Sequence, residues 1–535
     1  MGERQEGPRM RRWLVWGGSW ILAVLAGCST LTVSSDPTKT PPRPDEAVTV
    51  VSVTGNTAQV SQFDSILLRR LPDPGSTSNV QHTYLLHHRS PGLSRDTSLF
   101  LGTLPQGEYE FVRFNDDDTQ QFLPLGEKSR ETLGRFRVEG GSTVDLGRLI
   151  VTPLNTRVLV GRSARITGNE ALVQRFLPEH SKFFAGGVKP GWLSPTASRE
   201  RVEEYALSRP VGANGLTLLK DGRVAAGSRL GTVLLRDTSG SWSAAQAPGL
   251  ESILYVTAVD RPDASLLAVG EFGTLLKLDV SGTRLSPVDT GDLPPGNLFF
   301  ISGHDTTGWF IAQQRGSEVT LYRSDRLESG RWTPVRREDV SFSFWHGANR
   351  FWIWETTEGF AYATSQGAMH FYRRADASWT SRTVPGDARL ITVVPSPGDR
   401  LGIVTSPGGG FGGVFASVYV TRDGASTWEP VQSEFKVKVN APRILPDGTM
   451  LLAGGVFSKS ELHVSKDQGK TWTPSGEFAL TQDLVVLADG SLYAIDGNHG
   501  FSLFSIRRST DLGATWATEY TIFDRQAYEA QQGRK

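Results

Sequence analysis

Three aspartates, Asp423, Asp467 and Asp511, stand 44 residues apart, and each precedes a tryptophan by five positions: Trp428, Trp472 and Trp516. A carboxylate at a fixed place in a repeated polar turn could act as a general acid or base, as a metal ligand, or as an acceptor for its own turn. The neighbours favour the last role. "SKDQGKTW" (465–472) and "STDLGATW" (509–516) place Ser two residues before the Asp and Thr just before the Trp, while "TRDGASTW" (421–428) has Thr at both places. Short hydroxyl and carboxylate side chains close hydrogen bonds onto nearby backbone, and Gly supplies a positive φ. These aspartates therefore read as folding residues, not catalytic ones.

Other candidates are weaker. "NDDD" (115–118) clusters oxygen ligands suited to Ca²⁺ but follows a strand pattern, so it reads as a solvated hairpin turn. His87 and His88 are neighbours on an expected strand and point to opposite faces, which prevents them from chelating one ion. The glycine-rich "SPGGGFGGVF" (406–415) lacks the Lys-Ser/Thr ending of a phosphate loop. The aromatic run "FWHGANRFWIW" (344–354) reads first as core, with a stacking surface as the alternative. There is no nucleophile elbow, HExxH, dinucleotide fingerprint or Cys-His metal spacing, so neither cofactor nor metal is expected. Lys plus Arg and Asp plus Glu number 56 each, which gives no basis for a nucleic-acid partner.

The elements that must carry the repeated turn follow from its stride. Degenerate copies precede the three clear ones: "DTSGSW" ending at Trp242, "DVSGTR" at Arg284, "SDRLESGRW" at Trp332 and "RADASW" at Trp379. Between them the layout recurs as strand, turn, strand, short loop, strand, polar turn, strand, as in "GLTLLKDGRVAAGSRLGTVLLRDTSGSW". Seven four-stranded units from 211 to 520 imply a seven-bladed β-propeller. Upstream, "VTVVSV", "SILLRRL", "TYLLHH", "SLFLGTL" and "EYEFVRF" are short strands broken at turn residues, and residues 48–162 are expected to form a β-sandwich. The fold class is thus all-β, an N-terminal β-sandwich followed by a seven-bladed β-propeller. Residues 163–210 read as a connector with two short helices, the second capped by Ser198, and 521–535 as a polar tail.

The repeated turn resembles the Asp-box, or BNR repeat, of sialidases, sortilin-like receptors and Ycf48-type assembly factors. That resemblance implies a site on the face opposite the boxes, where the loops between the second and third strands of each blade lie. Arg229, Glu271, Arg315, Gln366, Lys459 and His499 occupy those loops. "LGTVLLRDTSGSW" and "FGTLLKLDVSGTR" resemble the strand before the box in Ycf48-like proteins, which implies binding to membrane-complex components. A sialidase would need an Arg-Ile-Pro motif before the first box. Here "SRPVGANG" offers only Arg209-Pro210, and "RILP" at Arg443 falls in the sixth unit. "LPQGEYEF" and "FRVEGGSTVDLG" resemble the prealbumin-like or carboxypeptidase-regulatory-like sandwich, a spacer or binding unit.

At the N-terminus, Arg9, Arg11 and Arg12 precede an apolar run, 13–27, that is too short for a span but suits a signal-peptide core. "LAGC" ends on Cys28, the sole cysteine, and resembles the lipobox of bacterial lipoproteins; the alternative is an ordinary signal peptide. The resemblance implies a signal peptide at 1–27, a lipid on Cys28 and an outer-membrane location in a Gram-negative envelope. Residues 28–47, rich in Ser, Thr and Pro, read as a tether. The expected function is a membrane-anchored envelope binding or scaffold lipoprotein with a protein or glycan partner. A sialidase-like exoglycosidase is the alternative.

Overall fold

The computed structural model describes residues 29–532 except 58–62, 74, 76–79, 90–93, 95, 117–120, 156, 194–196, 344–346, 407–415, 433–439, 457–458, 480–481 and 498–502. Cys28, His499 and most of the glycine-rich loop lie outside the described residues. Among those described, no helix is long and apolar enough to cross a membrane.

Seven consecutive four-stranded antiparallel sheets run from Asn214 to Thr521, each built from strands adjacent in sequence. They are the seven blades of a propeller. Alternation along each blade puts apolar side chains on both faces, so each seam between neighbouring blades holds one buried cluster. The seam between blades three and four is aromatic. It packs Phe300 and Phe310 against Phe360 and Tyr372, with ring centroids as close as 4.5 Å. No strand is shared between the two ends of the propeller. The ring closes through side chains: Phe504 and Ile506 of blade seven pack with Ala226 and Leu234 of blade one. Glu519 also accepts both arms of the Arg236 fork, at 2.7 and 2.9 Å.

The N-terminal domain is a two-sheet sandwich. One sheet contains the strands Ser65–Arg70, Gln81–His87 and Gly107–Asp116; the other contains Glu46–Gly55, Thr97–Pro105 and Thr143–Leu154. The core between them is dominated by Phe100, Phe111, Phe114 and Tyr109.

Four expectations are corrected. Residues 29–33 are not tether: Ser29–Val33 pairs in parallel with Gln81–His87, from Ser29 opposite Gln81 to Val33 opposite Leu85. Further along, Asp36 caps a turn through Thr38 and pairs with Arg89. Polar composition concealed this edge strand because an edge position needs little burial. Of the expected solvated hairpin turn at 115–118, the hairpin is present, Gly107–Asp116 pairing antiparallel with Gln121–Pro124, but Asn115 and Asp116 end the strand and are buried, Asn115 donating to Ser65 Oγ at 3.0 Å; Asp117 and Asp118 lie outside the described residues. Ser198 does not cap its helix, which already starts at Ala197. The terminal segment 521–535 is not simply a tail. Ile522 is buried, Asp524 exchanges two 2.9 Å hydrogen bonds with Asn155 of the sandwich, and Arg525–Gln532 is helical.

Candidate functional site

The repeated turns have the geometry of backbone fasteners. In the sixth blade, Asp467 Oδ1 accepts from the Thr471 amide at 2.9 Å and Oδ2 from its hydroxyl at 2.5 Å, while Ser465 Oγ takes the Gly469 amide at 2.8 Å. Asp511 and Asp423 repeat this pattern with Thr515 and Thr427. Each tryptophan then leans on the seam behind it. Trp472 donates to Gln432 O at 2.9 Å, Trp516 stands 5.8 Å from Phe478, and Trp428 packs on the seam of blades four and five. Among the described residues, no group of three His, Cys, Asp or Glu side chains could hold a metal.

These turns tune acidity. The Thr471 hydroxyl and amide hold Asp467 down at about 2, and Ser281 does the same for Asp279. At Asp423 partial burial works against ionisation, yet the bonds from Thr427 and Thr421 prevail and it too falls to about 2. A carboxylate whose folded pKa is depressed contributes stability above its unfolded value, about 3.9, and loses it as pH falls through the folded value. The melting temperature is therefore expected to hold down to about pH 4 and to drop between about pH 4 and 2. Asn substitutions at 279, 423 and 467 together should flatten that drop in calorimetric scans, and an unchanged acid slope would contradict this role.

The turns also need two consecutive positive φ values. They are 66° and 84° at Gln468 and Gly469, and 57° and 86° at Leu512 and Gly513. In the fifth blade Ala425 occupies the second place at 68°, with Gly424 before it at 62°. Gly469→Ala has room for its methyl and should cost about 1 kcal/mol, the ordinary penalty of a left-handed residue. Gly513→Ala adds a clash between the new Cβ and Leu462 Cδ2, and should cost about 1–3 kcal/mol more. Urea midpoints of the two variants check the order.

The opposite face is divided. Arg229 and Glu271, expected at open loop tips, are buried beneath the sandwich. Arg229 pairs with Asp96 at 3.1 Å. Glu271, 0% exposed, accepts from Ser94 Oγ at 2.6 Å and from the Asp96 amide at 2.9 Å. Phe272 packs edge-on against Phe176 of the connector at 4.9 Å, and Arg148 pairs with Glu251 at 3.0 Å. Asn56 of the sandwich donates to Arg209 O and accepts from the Val211 amide. As binding residues Arg229 and Glu271 are therefore corrected: they fasten the two domains. Single-sequence reading missed this because docking between domains leaves no periodicity in either.

Arg315 and Gln366 are exposed on blades three and four, on the part of this face the sandwich leaves open. Lys459 begins the strand Lys459–Ser465, its side chain outside the described set. Beside Arg315 lies a cleft of about 510 Å³ lined by Asn214, Asn297, Phe299, Gln314, Asn349, Arg350, Phe351 and Trp352 among others. It joins the starts of the first strands of blades one to four, at Asn214, Leu254, Asn297 and Phe351, to Gln314 and Val319 on the second and third strands of blade three and to Val340 just past its fourth. Phe351 is held edge-on by Phe299 at 5.9 Å and stacked on Tyr362 at 5.2 Å. Arg350 is exposed, one arm on Ile391 O at 3.2 Å. Asn349 Oδ1 is buried with no donor among the described residues. Of the aromatic run, Trp354 is core, Phe351 and Trp352 line the cleft, and Phe344, Trp345 and His346 lie outside the described residues.

No family model and no curated protein matches the chain. Solved structures similar in fold include Ycf48 bound to a D1 peptide, at 16% identity and a TM-score of 0.40, over 54% of this chain and 91% of that one. A GH74 xyloglucanase from Xanthomonas campestris is similar at 17% identity and a TM-score of 0.38, over 58% of this chain and 55% of that one. BamB from Moraxella catarrhalis is similar at 14% identity and a TM-score of 0.32, over 53% of this chain and 82% of that one.

Proposed function

We propose that the protein is a non-catalytic cell-envelope lipoprotein, held to a membrane through lipid on Cys28, that binds a protein or glycan partner with the open sector of its propeller face. The observation that carries this reading is the cleft beside Arg315. Its aromatic rings offer flat apolar contact, its amides and Arg350 offer directional donors, and among the described residues its lining includes no Asp or Glu. Acid–base hydrolysis of a glycoside uses two carboxylates flanking the bond, so these residues suit holding a ligand better than cutting one.

The test is capture from native membranes by the tagged full chain. One stoichiometric partner is expected, and Arg350→Glu should weaken its binding at least tenfold, about 1.4 kcal/mol. Lys466→Glu, on the box face, should leave binding unchanged. Equal capture by both variants, or sialic acid released from a fluorogenic substrate, would sink the reading.

A further inference from the structure

The sandwich has two outer faces, and they are unlike. The outer face of the sheet containing Glu46–Gly55 and Thr97–Pro105 is covered by the connector: Val48, Val50, Leu99 and Leu101 are buried against Val173, Leu177 and Phe184. The outer face of the other sheet carries an apolar row in the open. Cross-strand partners point to the same side of a sheet. Val33 is opposite Leu85, Leu85 opposite Leu67, and Leu67 opposite Arg113. Leu85 and Leu67 are half-buried; Val33 is 58% exposed, and Leu31, two residues before it on the same face, is 60% exposed. At the far end the Arg113 guanidinium sits 5.4 Å over the ring of Phe122, itself 58% exposed.

The position of this row in the chain says what covers it. Its edge strand starts at Ser29, immediately after Cys28. At about 3.3 Å per residue, Val33 lies within about 17 Å of that cysteine. The proposed function puts Cys28 at the bilayer, and this inference rests on that reading. With no tether between anchor and strand, the edge of the sheet is brought to the lipid surface and its apolar row with it. An aromatic ring under an arginine suits the depth of the headgroups, where the ring is buried and the guanidinium stays wet. We propose that this sheet face lies against the bilayer, so that the sandwich is clamped on the membrane and is not held off it.

The chain's only cysteine would be consumed by lipid, so one introduced thiol can report depth. The full lipidated chain carrying Leu31→Cys, Val33→Cys or, as control, Val335→Cys on the propeller is spin-labelled in phosphatidylethanolamine–phosphatidylglycerol vesicles. All three positions are exposed, so folding should tolerate the changes. Labels at 31 and 33 should collide several-fold less with an aqueous nickel chelate, and more with oxygen, than the label at 335. Equal collision rates at all three would overturn the clamp while leaving the lipid anchor intact. Spin–spin broadening at 31 and 33 without protection from the chelate would assign the face to a second copy and overturn it too. A Cys28 that itself takes label and lacks the acyl mass would overturn both readings.

Discussion

Arg229→Ala is expected to separate the two domains. The guanidinium and the Asp96 carboxylate are both nearly inaccessible, and removing the cation leaves a buried charge unanswered, a loss of about 3–5 kcal/mol. Beside it, Glu271→Ala would strip the acceptor from the Ser94 hydroxyl and the Asp96 amide, each worth about 1.5–3 kcal/mol when the acceptor is charged. The two sites share Asp96, so their effects should not add. Arg315→Ala is the control: the same residue type in the corresponding loop of another blade, but exposed, with an expected change within about 0.5 kcal/mol. Calorimetry should show the wild type melting with its domains coupled, and Arg229→Ala melting earlier with the sandwich and propeller transitions split. Coincident, unshifted transitions would show that the ion pair does not hold the interface.

Phe504→Ala should be comparably severe and should act elsewhere. Phe504 is fully buried where blade seven meets blade one and stands 5.9 Å from Tyr520. Truncating a buried phenylalanine costs about 3–5 kcal/mol. At this seam the loss reaches the first and last blades together, because no strand is shared across the closure. Packing, the Arg236–Glu519 fork, the 3.3 Å bond from Trp242 to Glu519, the bond from Tyr520 to Pro210 O and the Arg209–Asp524 pair at 3.1 Å hold it. Hydrogen exchange should therefore speed up in Thr232–Arg236 as well as in Ser505–Ser509. Loss of protection confined to the last blade would mean that the ring closes by other contacts. Phe360→Ala, in the seam of blades three and four, should cost about as much without exposing the first blade.

Much of the fold was legible because propeller blades are local objects. Each blade uses four strands adjacent in sequence, each turn marks its place with Asp, Gly or Trp, and the stride repeats. The sandwich strands from Val48 onward were legible for the same reason. What escaped was non-local. Ser29–Val33 looks like linker until its partner 52 residues away is known. Asn155 and Asp524 pair across 369 residues, with nothing nearby in sequence to mark either one. The cleft residues were half visible: Phe351 and Trp352 stood out as aromatic, whereas Asn214, Asn297 and Asn349 are unremarkable asparagines until three blades bring them to one rim.

Arg229 and Arg315 show where the division falls. By itself the sequence determined that both lie in loops between second and third strands, and so on the face away from the boxes, because alternating strand direction permits nothing else. It also determined that the box aspartates serve their own turns, since their partners lie within five residues. Only the tertiary structure decided that one arginine is sealed under a second domain and the other faces solvent. That outcome depends on which of seven like surfaces the sandwich desolvates, and burial against a distant segment is a property of the pair, written in neither segment alone.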